Sequence, residues 1–152
     1  MSSNHPLPLH FGRVTAIAND HMRMNPMFAR LTELAASLSK SDGPALSSLK
    51  EHVERLLPIV SRHFSAEESN SYFGVLMAEH PTACSAVAEL CSEHAEMLAL
   101  LEHLRAGCSV EPEPALAERQ ALANRVLALC EQFRAHEQKE SALMQAFLLG
   151  TE

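Results

Sequence analysis

His63-Phe64-Ser65-Ala66-Glu67 and, later in the chain, His136-Glu137-Gln138-Lys139-Glu140 carry the same polar pair four positions apart. Reading outward from these two stretches decides the fold. Upstream of the first, Leu49, Val53, Leu56 and Val60 recur at alternating steps of three and four; upstream of the second, Leu122, Val126, Leu129 and Phe133 do the same, and Leu143 and Phe147 continue the series. That spacing places each set on one stripe of an amphipathic helix. Two more stripes have the same character: Val14, Ile17, His21, Met24, Phe28, Leu31, Ala35 and Leu38, then Ala83, Val87, Leu90, His94, Met97, Leu101 and Leu104.

Breakers separate the four stripes. Ser41-Asp42-Gly43-Pro44, His80-Pro81 and the stretch from Gly107 to Pro114 each interrupt a helical pattern. The spacing predicts helices over roughly 13–40, 45–79, 82–106 and 115–149, behind an N-terminal arm over 1–12. Short connections make successive helices antiparallel, so the expected fold is all-α, an up-down-up-down four-helix bundle occupying 1–152 as a single domain. Pro26 lies off its stripe and is expected to kink the first helix on its outer side.

Composition narrows the function. A chain of 152 residues with 47% hydrophobic residues can bury one core. The formal charge of -7, with no Lys/Arg block, argues against nucleic acid or an anionic membrane surface as a partner. No apolar run reaches the length of about 20 residues needed to span a bilayer. The start of the chain lacks the basic-then-apolar order of a signal peptide, so the expected location is the cytoplasm. Cys84, Cys91, Cys108 and Cys130 form no CxxC pair and are expected to be buried, reduced thiols.

The anomaly in the stripes is polar. Each carries one His, and the second and fourth add a Glu one turn later. A lone His on an apolar stripe is commonly a core residue satisfied by one hydrogen bond, but a buried carboxylate calls for a charged partner or a metal. Spacing is an independent test: His21 to His63 and His94 to His136 are both 42 residues apart. The chain reads as an internal duplication in which His21 matches His94, His63 matches His136 and Glu67 matches Glu140, with Asp20 and Glu93 preceding the matched histidines.

Helix rise brings the six residues to one level. His21 and His63 each lie about 28 Å of helix from the turn near Asp42, and the turn at His80-Pro81 places His63 and His94 within roughly 5 Å of level. The last connection must climb about 13 Å between Gly107 and Pro114. Mixed imidazole and carboxylate donors suit iron, manganese or zinc, and six are too many for one tetrahedral zinc. If both carboxylates bridge, two ions each receive two His nitrogens and two Glu oxygens. A further bridging oxide or hydroxide then leaves each ion one open position.

With Asp20-His21, His63-Phe64-Ser65-Ala66-Glu67-Glu68, Glu93-His94 and His136-Glu137-Gln138-Lys139-Glu140 in this order, the chain resembles hemerythrin-like, or HHE cation-binding, proteins from about Val14 to Leu148. The resemblance implies a four-helix bundle with two iron ions in an oxo-bridged Fe-O-Fe centre that meets O2 or NO. Oxygen-carrying hemerythrins have a fifth His one turn before the third-helix His, where Leu90 stands here. The four-His, two-Glu set is closer to the iron-sulfur-cluster repair branch of the superfamily, although the cysteine-bearing N-terminal domain usual there has no counterpart. Three roles follow: sensing or reacting with O2 or NO, redox or repair chemistry (iron donation, NO or peroxide reduction), and O2 carriage or storage. A bundle with adventitious zinc is the structural alternative. Nothing in the sequence identifies a redox partner, an organic substrate or an oligomeric state.

Several residues admit two readings. Glu68 competes with Glu67 as ligand, and the match to Glu140 favours Glu67. Glu140 stands where the zinc-protease motif HExxH needs a second His, so that motif is absent. His5, His10, His52, His80 and His103 are expected to be solvated, Met24 and Met97 to be core residues that could wall the metal positions, and Tyr72 to approach the site.

Overall fold

The computed structural model of the chain describes residues 7–40, 45–108 and 114–147, with side chains from residue 14 onward. It contains α1 (Leu7–Ser39), α2 (Ala45–Glu67), α3 (Phe73–Glu79), a 3-10 turn (Pro81–Ala83), α4 (Cys84–Gly107) and α5 (Leu116–Phe147). Among the described residues there is no strand. The four long helices close a ring: α1 packs on α2 and α5, and α4 packs on the same two.

Each stripe became a buried face. Leu31, Leu38, Leu49, Val53, Leu56, Leu101 and Leu129 have no measurable exposure, and each such side chain withdrawn from water contributes about 1.5–3 kcal/mol. The core is split in two. The larger cluster includes Met24, Val60, Phe64, Met97 and Phe133, and the smaller includes Ile17, Tyr72, Phe73, Leu90 and Met144. Along α1, His21 falls between Ile17 and Met24; along α4, His94 falls between Leu90 and Met97; along α5, His136 and Glu140 fall between Phe133 and Met144. The polar residues therefore form a layer between two apolar ones, with His21 half-buried at its edge.

Helix bounds differ from expectation in two places. α1 begins at Leu7, inside the expected arm. The segment expected as one helix over 45–79 is broken between Glu67 and Phe73. Ser69, Asn70 and Ser71 favour such a break because short polar side chains compete with helical backbone bonds. Ser69 Oγ donates to the Ala66 carbonyl at 2.6 Å, and Gly74 N–H donates to the Ser69 carbonyl at 3.1 Å. A Cβ on Gly74 would lie 3.3 Å from that carbonyl oxygen, so the absence of a side chain lets α3 start against the turn.

Pro26 and Pro58 both sit inside helices that run on through them, and both are exposed. Water can satisfy the carbonyl that each proline leaves without its helical donor. The expected climb between Gly107 and Pro114 falls largely on residues outside those described. All four cysteines are free, as expected, but only Cys108 and Cys130 are buried, while Cys84 is exposed. Burial pushes the Cys108 thiol up to about 11. No helix among the described residues is long and apolar enough to cross a membrane.

Candidate metal centre

The four helices bring His21, His63, Glu67, His94, His136 and Glu140 together. Glu67 is at their centre, with no exposure. Its Oε1 lies 3.0 Å from His63 Nε2 and 3.3 Å from His94 Nε2, and its Oε2 lies 3.9 Å from His21 Nε2. Glu140 Oε2 is 3.8 Å from His21 Nε2 and 3.7 Å from His136 Nε2. His94 Nε2 and His136 Nε2 face each other at 3.0 Å.

Two sets of three donors result, each with its ligand atoms within 4.8 Å of one another: His21, His63 and Glu67, and then Glu67, His94 and His136. Glu67 belongs to both sets. Glu68, the competing carboxylate, is outside, 41% exposed and 3.8 Å from His94 Nδ1. Helical geometry explains the choice, since a side chain four residues after His63 shares its face and one five residues after is turned away.

The tautomers suit cation binding. His63 Nδ1 donates to Asp20 Oδ2 at 3.2 Å and His136 Nδ1 donates to Glu93 Oε1 at 3.0 Å. In the neutral ring each donation leaves a bare lone pair on Nε2, aimed into the layer. Asp20 and Glu93 occupy matched positions in the duplication, so the pattern of outer partners is repeated with the ligands. Lys139 Nζ reaches Glu93 Oε2 at 2.7 Å and Glu89 Oε1 at 2.9 Å on the outer side. Burial raises the Glu93 carboxyl, but the bonds from Lys139 and His136 outweigh it and leave it below the usual range.

Charge in the layer is unevenly held. Burial drives His21 down to about 4, so its ring is neutral at pH 7. His136 is likewise lowered, first by burial. For His63 burial also acts downward, but contact with Glu67 and the bond to Asp20 leave it raised. Glu140 is pushed well up by burial and by the neighbouring Glu67, while Glu67 is held well down by its contacts with Glu140, His63 and His94 in spite of burial.

His63 Nε2, both oxygens of Glu67 and Glu140 Oε2 are buried without a well-directed hydrogen bond, although they crowd within ion-pair distance. Bare imidazole nitrogens and carboxylate oxygens so arranged are an unfavourable interior unless a cation lies among them. The donor set therefore fits a metal. The family model of the hemerythrin HHE cation binding domain matches residues 13–148, a span that takes in every one of these donors. The chain belongs to the hemerythrin HHE cation-binding domain family. No curated protein and no solved structure matches it.

In this HHE domain Leu90 is 2% exposed and lies in the smaller apolar cluster, so the position expected for a fifth His is filled by hydrocarbon. Met24 and Met97 are core residues. His103 is exposed, as expected, whereas His52 is half-buried and bonds through Nε2 to the Met27 carbonyl at 2.8 Å, tying α2 to α1. His80 is also half-buried, with its ring against Phe147 at 5.3 Å. His5 and the side chain of His10 lie outside the described residues.

Two aromatic neighbours escaped the sequence reading or were only glimpsed in it. Phe64 stacks on the His94 ring, with centroids 3.9 Å apart and planes 9° apart, and fixes its orientation. It lies off the apolar stripe, so periodicity did not select it. Tyr72 is buried and donates from Oη to Glu140 Oε1 at 3.1 Å. A cleft of about 170 Å³ between α1, α5 and the turn before α3 leads to this point, lined by Ile17, His21, Tyr72, Glu140 and Met144 among others.

Proposed function

We propose that the chain is an antiparallel up-down-up-down bundle, a single cytoplasmic domain that holds two iron ions between His21, His63, Glu67, His94, His136 and Glu140 and uses them to react with or sense O2 or NO. The ring of helix contacts supports the topology, and the single observation that carries the function is the sharing of Glu67 between two three-donor sets. When bound, such a pair supplies two adjacent redox-active centres able to take up a small diatomic ligand. The protein's own part is to hold the His63 and His136 imidazoles with Nε2 bare, through Asp20 and Glu93. It also flanks them with two apolar layers and leaves a narrow cleft at His21 and Glu140.

A redox or stress-repair role, the second reading, is favoured over oxygen carriage by the buried Leu90. Without a fifth imidazole, neither position is closed by protein nitrogen. Stopped-flow mixing of the reduced, iron-loaded protein with O2 separates them. A spectral change that reverses on removing O2 supports sensing or carriage, and immediate irreversible oxidation supports redox chemistry. Elemental analysis of protein from iron-replete cells comes first, because fewer than one ion per chain would sink every iron reading.

The outer partners give a milder test. Glu93→Gln and Asp20→Asn are each expected to weaken metal affinity by about 10–100-fold, measured by competition with a chelator, since a ligating His loses orientation and basicity with its outer partner.

A further inference from the structure

The two halves of the duplication are not equivalent at one point. Tyr72 in the first half corresponds to Gln145 in the second, and both line the cleft. The hydroxyl of Tyr72 reaches across to the carboxylate of the other half, Glu140 Oε1, and no tyrosine stands at the matched position to do the same for Glu67. Glu67 turns Oε1 to His63 and His94 and Oε2 to His21. Glu140 meets His21 and His136 through Oε2, while Oε1 is held by Tyr72.

We infer that Tyr72 is a positioning residue that withholds one oxygen of Glu140 from the metal pair, so that Glu67 alone is shared through both oxygens and the two metal positions differ in affinity. The inference rests on the proposed metal pair. Tyr72 is 5% exposed, so moving Glu140 away would strand a buried hydroxyl, an outcome that interiors avoid. The break between α2 and α3 is what delivers it: a helix continuing past Glu67 would carry residue 72 along its own axis and not back across the layer.

Tyr72 is the chain's one tyrosine, and there is no tryptophan, so tyrosine absorption and fluorescence report this bond alone. Metal-free wild type and Tyr72→Phe would be titrated with Zn²⁺, which adds no absorption of its own, by calorimetry, with the tyrosine signal followed in the wild type. Two resolved binding steps are expected in the wild type. In Tyr72→Phe the stoichiometry stays at two and the weaker step tightens by about 5–10-fold, the effect of releasing one neutral hydrogen bond. The wild-type tyrosine fluorescence should change on the step that engages Glu140. Two ions bound by the variant with the weaker step unchanged or weakened would overturn the inference and leave the metal pair standing. Should the variant fail to fold, a wild-type tyrosine signal that stays constant through loading of both ions overturns it equally. If the wild type binds no ion, the metal pair itself fails, and the inference with it.

Discussion

Glu67→Ala is expected to remove both metal ions, whereas Glu140→Ala should keep bound metal at lower affinity. The contrast follows from membership: Glu67 completes both sets of three donors, and Glu140 completes neither. With Glu67 gone each set falls to two imidazoles, and the one Glu140 oxygen that faces His21 and His136 must serve both, which leaves the pair short of the three protein donors per ion that even open catalytic sites retain. The expected loss of affinity exceeds about 100-fold, beyond what removing an outer partner costs. Metal content after gel filtration, read beside Glu68→Ala as a control, decides it. Two ions retained by Glu67→Ala, or both lost from Glu68→Ala, would show that the shared carboxylate has been misassigned.

His136→Ala is expected to lose metal and to unfold more easily by about 3–5 kcal/mol, because it breaks a buried, paired layer, takes from Glu93 its imidazole partner and leaves Glu140 with His21 alone. The stabilisation that ligand binding adds to the folded state is lost as well. His103→Ala, on the exposed face of α4, should change stability by less than about 0.5 kcal/mol and leave metal content unaltered. Urea unfolding of both variants, with and without added metal, tests the pair. A His136→Ala protein as stable as His103→Ala and equally metal-loaded would remove His136 from the site.

The two predictions draw on different layers of information. Which histidines turn toward the polar layer was legible without coordinates, because an apolar stripe with one polar residue leaves that residue facing inward once the helices pack. His103 and His136 could be told apart on this ground alone. The identity of the shared carboxylate was only partly legible. A step of four favoured Glu67 over Glu68, bridging by both carboxylates was left as a condition, and the bond that Tyr72 gives to Oε1 of Glu140 has no signature along the chain.

The break after Glu67 was missed for a physical reason. Ser69, Asn70 and Ser71 are weak breakers individually, and the apolar residues Tyr72, Phe73 and Leu76 resume soon enough to look like one continuous helix. Periodicity registers spacing along a single axis and is blind to a turn that restarts it. The matched acids Asp20 and Glu93 were visible as neighbours of histidines, but each bonds to the histidine of the adjacent helix, a relation with no signature along the chain.

The sequence by itself determined that this protein is helical, that one face of each long helix is buried, and that four imidazoles and two carboxylates lie along those faces, with His21 alone of the six half-buried. Those facts depend on local periodicity and on the cost of placing charge in a core. The tertiary structure alone decided which oxygen faces which nitrogen, that Glu67 is common to both donor sets, that Phe64 orients His94, and that Tyr72 breaks the equivalence of the two halves. These depend on how separate helices rotate and slide against one another, and helix rotation is set by packing across the core, not by any residue's neighbours in sequence.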